Sequence, residues 1–123
     1  MEISDMAKLL IVDDDSGILS ALKRSLRREG WKIVLADSPA KALSILDRGS
    51  VDLVLSDQKM PGMTGTELLA EVARRSPSTT RMLITGWSAA VSREEVREIG
   101  IKALIPKPWD DTELKNVLRE HLG

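Results

Sequence analysis

Four places in the chain carry side chains that could do chemistry together. Asp13, Asp14 and Asp15 follow the apolar run Leu9-Leu10-Ile11-Val12, and Asp57 closes the stretch Val51-Asp52-Leu53-Val54-Leu55-Ser56. Thr85 closes Met82-Leu83-Ile84, and Lys107 stands between Pro106 and Pro108 after Ala103-Leu104-Ile105. Each lies at the C-terminal end of a run that reads as a strand, where open α/β sheets place their ligands. Carboxylates gathered in one crevice repel one another and cannot all stay ionised without a counter-charge. Mg²⁺ suits them, being a hard ion that takes one or two carboxylates together with water and phosphate oxygens. Lys107 would add a mobile ammonium, and Thr85 a neutral hydroxyl donor. Together these groups make a site for a phosphoryl group, with the Asp57 carboxylate as nucleophile. In-line attack on phosphorus asks for positioning and charge neutralisation more than proton transfer, which matches the lack of a candidate base.

Taken singly, each residue has a plainer reading. Asp13-Asp14-Asp15 is an ordinary helix cap, Asp57 a turn acid before Pro61-Gly62, Thr85 a strand-end hydroxyl and Lys107 a surface lysine. Their joint spacing favours the site for Asp13, Asp14, Asp57 and Lys107, and leaves Asp15 as the cap.

The site exists only if the fold brings these ends to one rim. Lys8 to Val12 reads as a strand covered on both faces, because it is continuously apolar. From Ser16 the period becomes helical, with Ile18, Leu19, Leu22 and Leu26 on one side, Lys23, Arg24, Arg27 and Arg28 on the other, and Gly30 at the end. Ile33 to Ala36 is a second strand. Ser38-Pro39 starts a second helix, which buries Ala42, Leu43 and Leu46 and stops at Gly49. The stretch ending at Asp57 is strand three, and its helix runs from about Thr64 to Arg75, where Ser76-Pro77-Ser78 breaks it. Arg81 to Thr85 is strand four. Ser92 with Glu95 resembles a capping box for a fourth helix carrying Val96 and Ile99. Ala103 to Ile105 is strand five, and Asp110 or Asp111 caps a last helix with Leu114, Val117, Leu118 and Leu122 on one face.

Five strand–helix repeats predict an α/β, flavodoxin-like, doubly wound (βα)5 three-layer sandwich with a parallel sheet. Its expected strand order is 2-1-3-4-5, with the crevice between strands one and three. In that order Asp13, Asp14 and Asp57 meet at the crevice, and Thr85 and Lys107 share the rim.

Composition narrows the alternatives. The 123 residues suffice for one core, with residues 1–6 as an N-terminal tail. With 18 Lys+Arg against 19 Asp+Glu, the net charge of -1 predicts no direct binding of nucleic acid or anionic membrane. The absence of cysteine excludes disulfides, thiolate metal sites and cysteine nucleophiles. No apolar run approaches membrane-spanning length, and Met1 to Met6 lacks a signal-peptide layout, so a cytoplasmic domain is expected.

The whole chain resembles the receiver domain of two-component response regulators. The matching marks are Leu10-Ile11-Val12-Asp13-Asp14-Asp15, Asp57-Gln58-Lys59-Met60-Pro61-Gly62-Met63-Thr64-Gly65, Thr85 after an apolar strand, and Pro106-Lys107-Pro108-Trp109, in the family's order and spacing. The resemblance implies that Asp57 accepts phosphate from a phosphohistidine on a sensor histidine kinase or histidine phosphotransfer protein. It implies that Asp14 binds Mg²⁺ directly, Asp13 mainly through water, and that the Lys59 main-chain carbonyl completes the protein ligands. Thr85 and Lys107 would grip the phosphoryl oxygens, and Lys107-Pro108 would be cis. The module would be a switch rather than an enzyme with a diffusible substrate. Its output surface, and a candidate homodimer face, would be the fourth helix, fifth strand and fifth helix. The phosphodonor would dock near the first helix, with Ile18, Leu22 and Pro108 as contacts.

The sequence departs from the family's pattern in one important place. Many receivers carry Tyr or Phe three residues before the lysine; here that residue is Leu104, and the chain has no Tyr or Phe at all. A ring flip is therefore unavailable, and Leu104 would have to repack instead. Trp87, two residues after Thr85, is bulky enough to overhang the site. Gly86-Trp87 and Lys107-Pro108-Trp109-Asp110-Asp111 resemble regulators attached to transcription-activating or cyclic-dinucleotide-hydrolysing domains. Two rival readings are a phosphatase turning over on Asp57, and a pseudo-receiver that only binds. The first needs an acid two residues after Asp57, where Lys59 stands. The second expects loss of Asp13, Asp57 or Lys107.

Overall fold

The computed structural model describes residues 6–86 and 91–123. Five strands, β1 (Lys8–Val12), β2 (Lys32–Ala36), β3 (Leu53–Asp57), β4 (Thr80–Thr85) and β5 (Ile101–Pro106), form a parallel sheet in the order β2-β1-β3-β4-β5. Five helices connect or follow them: α1 (Ser16–Leu26), α2 (Pro39–Arg48), α3 (Gly65–Arg75), α4 (Arg93–Ile99) and α5 (Asp111–Leu122). This is the expected flavodoxin-like, doubly wound arrangement. Because β1 sits between β2 and β3, the chain leaves it in one direction and returns on the other side, which opens a crevice at its C-terminal end.

The continuously apolar strands reflect two cores rather than one. Successive strand residues point to opposite faces. Leu9, Ile11, Leu53, Leu55, Met82, Ile84 and Ile105 meet Leu19, Leu22 and Leu26 of α1 and Leu114 and Leu118 of α5. Their neighbours Leu10, Val12, Val54 and Leu83 face Ala42 of α2 and Leu68, Leu69 and Val72 of α3. Burying these side chains is the main stabilising term. Leu22 is fully buried among them, so it does not offer a docking contact; Ile18, one turn earlier, is half exposed.

Element ends follow local rules, with some differences from the sequence expectation. The Asp15 carboxylate caps α1, the Ser38 hydroxyl caps α2, and Ser92 with Glu95 forms the reciprocal capping box of α4. Asp110, rather than Asp111, caps α5 by accepting from the Glu113 amide. Past α1 the chain adds a 3-10 turn, Arg27–Glu29, before Gly30, whose φ of 89° only glycine adopts freely. β2 begins at Lys32 and β4 at Thr80, each one residue before its expected start. β5 begins at Ile101, earlier than the alternation suggests. Its pairing steps from Arg81↔Ile101 to Met82↔Ala103, so exposed Lys102 is an extra residue that interrupts the pattern.

α4 buries no residue completely and is held at its C-terminal end by Arg81. The Arg81 guanidinium donates through Nε to the Ile99 carbonyl at 2.8 Å, and through Nη1 to those of Thr79 at 2.8 Å and Pro77 at 3.2 Å. A cation at this end also complements the helix dipole. Gly100 makes room: at φ 75°, a Cβ there would come within 2.8 Å of Arg81 Nη2. Arg81→Ala should cost about 2 kcal/mol and raise amide exchange across 93–99 more than in α3. Hydrogen exchange followed by mass spectrometry reads both, and equal protection of α4 in the variant would refute the anchoring role.

Candidate functional site

The site is assembled from strand ends. β1 releases the chain at Asp13, whose amide donates to the Ala36 carbonyl at 3.1 Å and so ties the β1 end to β2. The Asp13 carboxylate is almost completely buried, at 1% exposure. Its Oδ1 accepts from the Asp15 amide at 2.9 Å, a local turn that helps fix the side chain. Asp14, between them, is exposed. β3 is buried at every position and ends on Asp57, 7% exposed. β4 ends on buried Thr85, whose carbonyl accepts from the Lys107 amide at 3.1 Å. That bond holds the ends of β4 and β5 side by side and aims Lys107 across the rim. The Lys107-Pro108 peptide is cis, as expected from the resemblance.

Lys107 Nζ lies 2.9 Å from Asp13 Oδ2 and 2.9 Å from Asp57 Oδ1. Ligand oxygens of Asp13, Asp14 and Asp57 all lie within 4.8 Å of one another. Burial pushes the Asp57 carboxyl above its ordinary value; the Lys107 bond pulls it down, and the charge of Asp13 pushes it up again. For Lys107, burial works against the charge, but the bonds to Asp57 and Asp13 outweigh it and the ammonium is held above its usual range. The site therefore gathers three hard oxygen donors against the Lys107 ammonium. This donor set fits a divalent hard cation such as Mg²⁺.

Several residues that shape the site are not evident from its charges. Gly65 opens α3 directly against the β3 end; a Cβ there would lie 2.1 Å from the Asp57 carbonyl oxygen and 2.7 Å from Leu83 Cδ1. Thr64 and Glu67 form a capping box at the same point, a pattern legible in Thr64-Gly65-Thr66-Glu67 but absent from the sequence reading above. The Ser56 hydroxyl, completely buried, donates to the Asp57 carbonyl at 2.9 Å. The remaining sequence candidates fall nearby or beside the site. Lys59 is an exposed residue of the β3–α3 loop, while Met60 is buried in the core and Met63 half buried against it. Leu104 pairs with Leu83 across β4 and β5 and packs on the α3 side. Trp109 covers the β5–α5 corner, its Nε1 donating to Asp111 Oδ1, which also accepts from the Ser25 hydroxyl of α1. Trp87 lies outside the described residues.

Two predictions follow from this geometry. A raised carboxyl binds its proton more readily folded than unfolded, where it titrates near 3.8. Stability then falls as pH rises between the unfolded and folded values, and the deficit is complete above the folded one. Asp57→Asn should therefore raise Tm by a few degrees near neutral pH without metal, and the gain should shrink as pH approaches 3.8. Calorimetry across that range checks the sign; a lower Tm for D57N would mean the Lys107 bond outweighs burial and repulsion. Gly65→Ala, by crowding the Asp57 carbonyl, should destabilise by about 3 kcal/mol, read as a lower urea midpoint.

Comparison with known proteins agrees with this arrangement. The family model described as the response regulator receiver domain matches residues 9–119. The chain is 34% identical over 116 residues to the transcriptional regulatory protein GlrR of Escherichia coli strain K12, covering 94% of this chain and 26% of GlrR. It is 38% identical over 109 residues to the transcriptional regulatory protein CpxR of Klebsiella pneumoniae, covering 89% of this chain and 46% of CpxR. The chain thus spans from about a quarter to under half the length of these relatives. The signal receiver domain of an HD domain-containing protein from Pseudomonas fluorescens superposes with a TM-score of 0.91 at 34% identity, covering 99% of this chain and 90% of that one. The response regulator TrrA of Thermotoga maritima, solved in complex with Mg²⁺ and beryllofluoride, gives 0.87 at 30% identity, covering 95% of this chain and 100% of that one. With the fold, the carboxylate cluster and these matches in agreement, the chain belongs to the receiver domain family of two-component response regulators.

Proposed function

We propose that the 123 residues form a single phosphoacceptor receiver domain, a switch that takes a phosphoryl group onto Asp57 from the phosphohistidine of a sensor histidine kinase or histidine phosphotransfer protein. One observation carries this reading: a lysine ammonium 2.9 Å from each of two buried carboxylates, with a third carboxylate beside them. Only the ionised form of Asp57 is a nucleophile, and Lys107 keeps that form accessible despite burial. One Asp57 oxygen attacks phosphorus, the N–P bond to the imidazole breaks with its electron pair passing to nitrogen, and an acyl phosphate remains. Asp13, Asp14, Asp57 and the Lys59 main-chain carbonyl would hold Mg²⁺, which when bound neutralises charge between the carboxylates and the phosphoryl oxygens.

The new phosphoryl group competes with the Asp57 carboxylate for Lys107, and draws the Thr85 hydroxyl at the end of β4. Movement of Thr85 passes to its strand neighbours and to Leu104, which takes the place of the family's aromatic residue. The readout surface is α4, β5 and α5, where α4 is the least buried helix and so the least costly to reposition. The same surface serves as the homodimer face. Among the described residues no helix is long and apolar enough to cross a membrane. The domain acts in the cytoplasm, where its kinase partner presents the phosphohistidine, and neither binds nucleic acid itself nor turns over a diffusible substrate.

Intact mass after incubation with acetyl phosphate tests the proposal. A single added phosphoryl group should appear in the wild type with Mg²⁺, and neither in Asp57→Asn nor after chelation with EDTA. Failure to form the adduct, together with failure to bind beryllofluoride in the presence of Mg²⁺, would sink the phosphoacceptor reading.

A further inference from the structure

The loop from β3 to α3, residues 58–64, carries Lys59, the one proposed cation ligand that uses main chain rather than a carboxylate. Nothing in the Lys59 side chain fixes that carbonyl, since the side chain is exposed, and the following Pro61-Gly62 turn is exposed as well. The residues on either side of Lys59 are both anchored. Met60 is buried in the core on the α3 face. Gln58 is held by three hydrogen bonds to the start of α3. Its carbonyl accepts from the Gly65 amide at 2.9 Å, its Oε1 accepts from the Thr66 amide at 2.9 Å, and its Nε2 donates to Thr66 Oγ1 at 3.3 Å.

The first amides of a helix have no partner within it. Here the first two are both taken by Gln58, and Thr64 takes the amide of Glu67. Thr66 is buried, and its hydroxyl lies 3.1 Å from that of Thr64, so the ring of bonds closes inside the loop. Each amide of Gln58 and Thr66 has a defined partner, so the side chain has one orientation and the loop one path. Gln58 stands seven residues before the first residue of α3 and satisfies the two amides that Thr64, which takes only that of Glu67, leaves open. Its carbonyl bond to Gly65 holds the peptide plane immediately before Lys59, and the two side-chain bonds to Thr66 brace that plane against α3.

We infer that Gln58 is a positioning residue: by binding the first amides of α3 it fixes the peptide on one side of Lys59, while buried Met60 fixes the other, and so sets the direction of the Lys59 carbonyl toward the divalent-cation site. The inference rests on the proposed metal reading. Partners that orient ligands commonly govern metal affinity without touching the ion.

The test is an Mg²⁺ titration of the metal-free, isotopically labelled protein by NMR, with thermal melts in EDTA alongside. The Met60 amide belongs to the same peptide unit as the Lys59 carbonyl and reports directly on it. Gln58→Met keeps the side-chain length and removes both side-chain bonds. Ser92→Ala removes the cap of a different helix, α4, and serves as the stability control. Gln58→Met should weaken Mg²⁺ binding roughly tenfold and lose the Mg²⁺-induced shift of the Met60 amide. Ser92→Ala should lower the melting temperature yet keep the wild-type affinity and shift. Wild-type affinity in Gln58→Met overturns the inference, as does an equal loss in Ser92→Ala, which would trace the effect to global stability. A wild-type protein that binds no Mg²⁺ would instead bring down the metal reading and the inference with it.

Discussion

The central constraint in this protein is a charge imbalance. Two carboxylates that are almost wholly inaccessible, Asp13 and Asp57, share one ammonium, and the exposed Asp14 adds a third negative group beside them. Desolvation of a carboxylate is costly unless it is paired and hydrogen-bonded. Lys107 meets that cost in part, since it bonds both buried acids at once, and the Asp15 amide takes another Asp13 oxygen. The remainder is a standing preference for positive charge. Such a site is poised rather than relaxed, and its three carboxylates form a donor set that fits a divalent cation.

The fold is what makes this imbalance affordable. Strands buried on both faces place their last residues in a row, and the order β2-β1-β3-β4-β5 puts the acids of β1 and β3 next to each other. The Lys107 amide bonded to the Thr85 carbonyl then brings the ammonium alongside. Each of these residues sits at or directly after the end of a strand, whereas α4, tied at its C-terminal end by Arg81, buries no residue completely.

Much of this arrangement was legible in the residues themselves. Apolar runs stopped by Asp13, Asp57, Thr85 and Lys107 revealed the strand ends, and helical spacing after Ser16, Ser38 and Asp110 gave the connections, because burial on one or both faces leaves a clear period. Places where a local irregularity interrupts the period were less legible. Lys102 breaks the alternation of β5 because it is an extra residue in the ladder, and the 3-10 turn after Leu26 has no apolar signature. The family resemblance makes Leu22 a docking contact, whereas its helical spacing with Leu19 and Leu26 already places it on the apolar face where it is buried. Gln58 and Gly65 act through backbone amides and through a missing side chain, neither of which composition or charge discloses.

The bond between Lys107 and Asp13 joins residues 94 positions apart. Contacts of such long range are slow to form, because the loop between them must be closed before they contribute anything. The acids of β1 and β3 are adjacent as soon as the central strands pair, but their counter-charge comes with the last strand of the sheet. A chain whose β5 has not docked holds those carboxylates without their ammonium. The contact that seats the end of β5 on β4, the Lys107 amide on the Thr85 carbonyl, is therefore also the one that completes the charge pairing of the site.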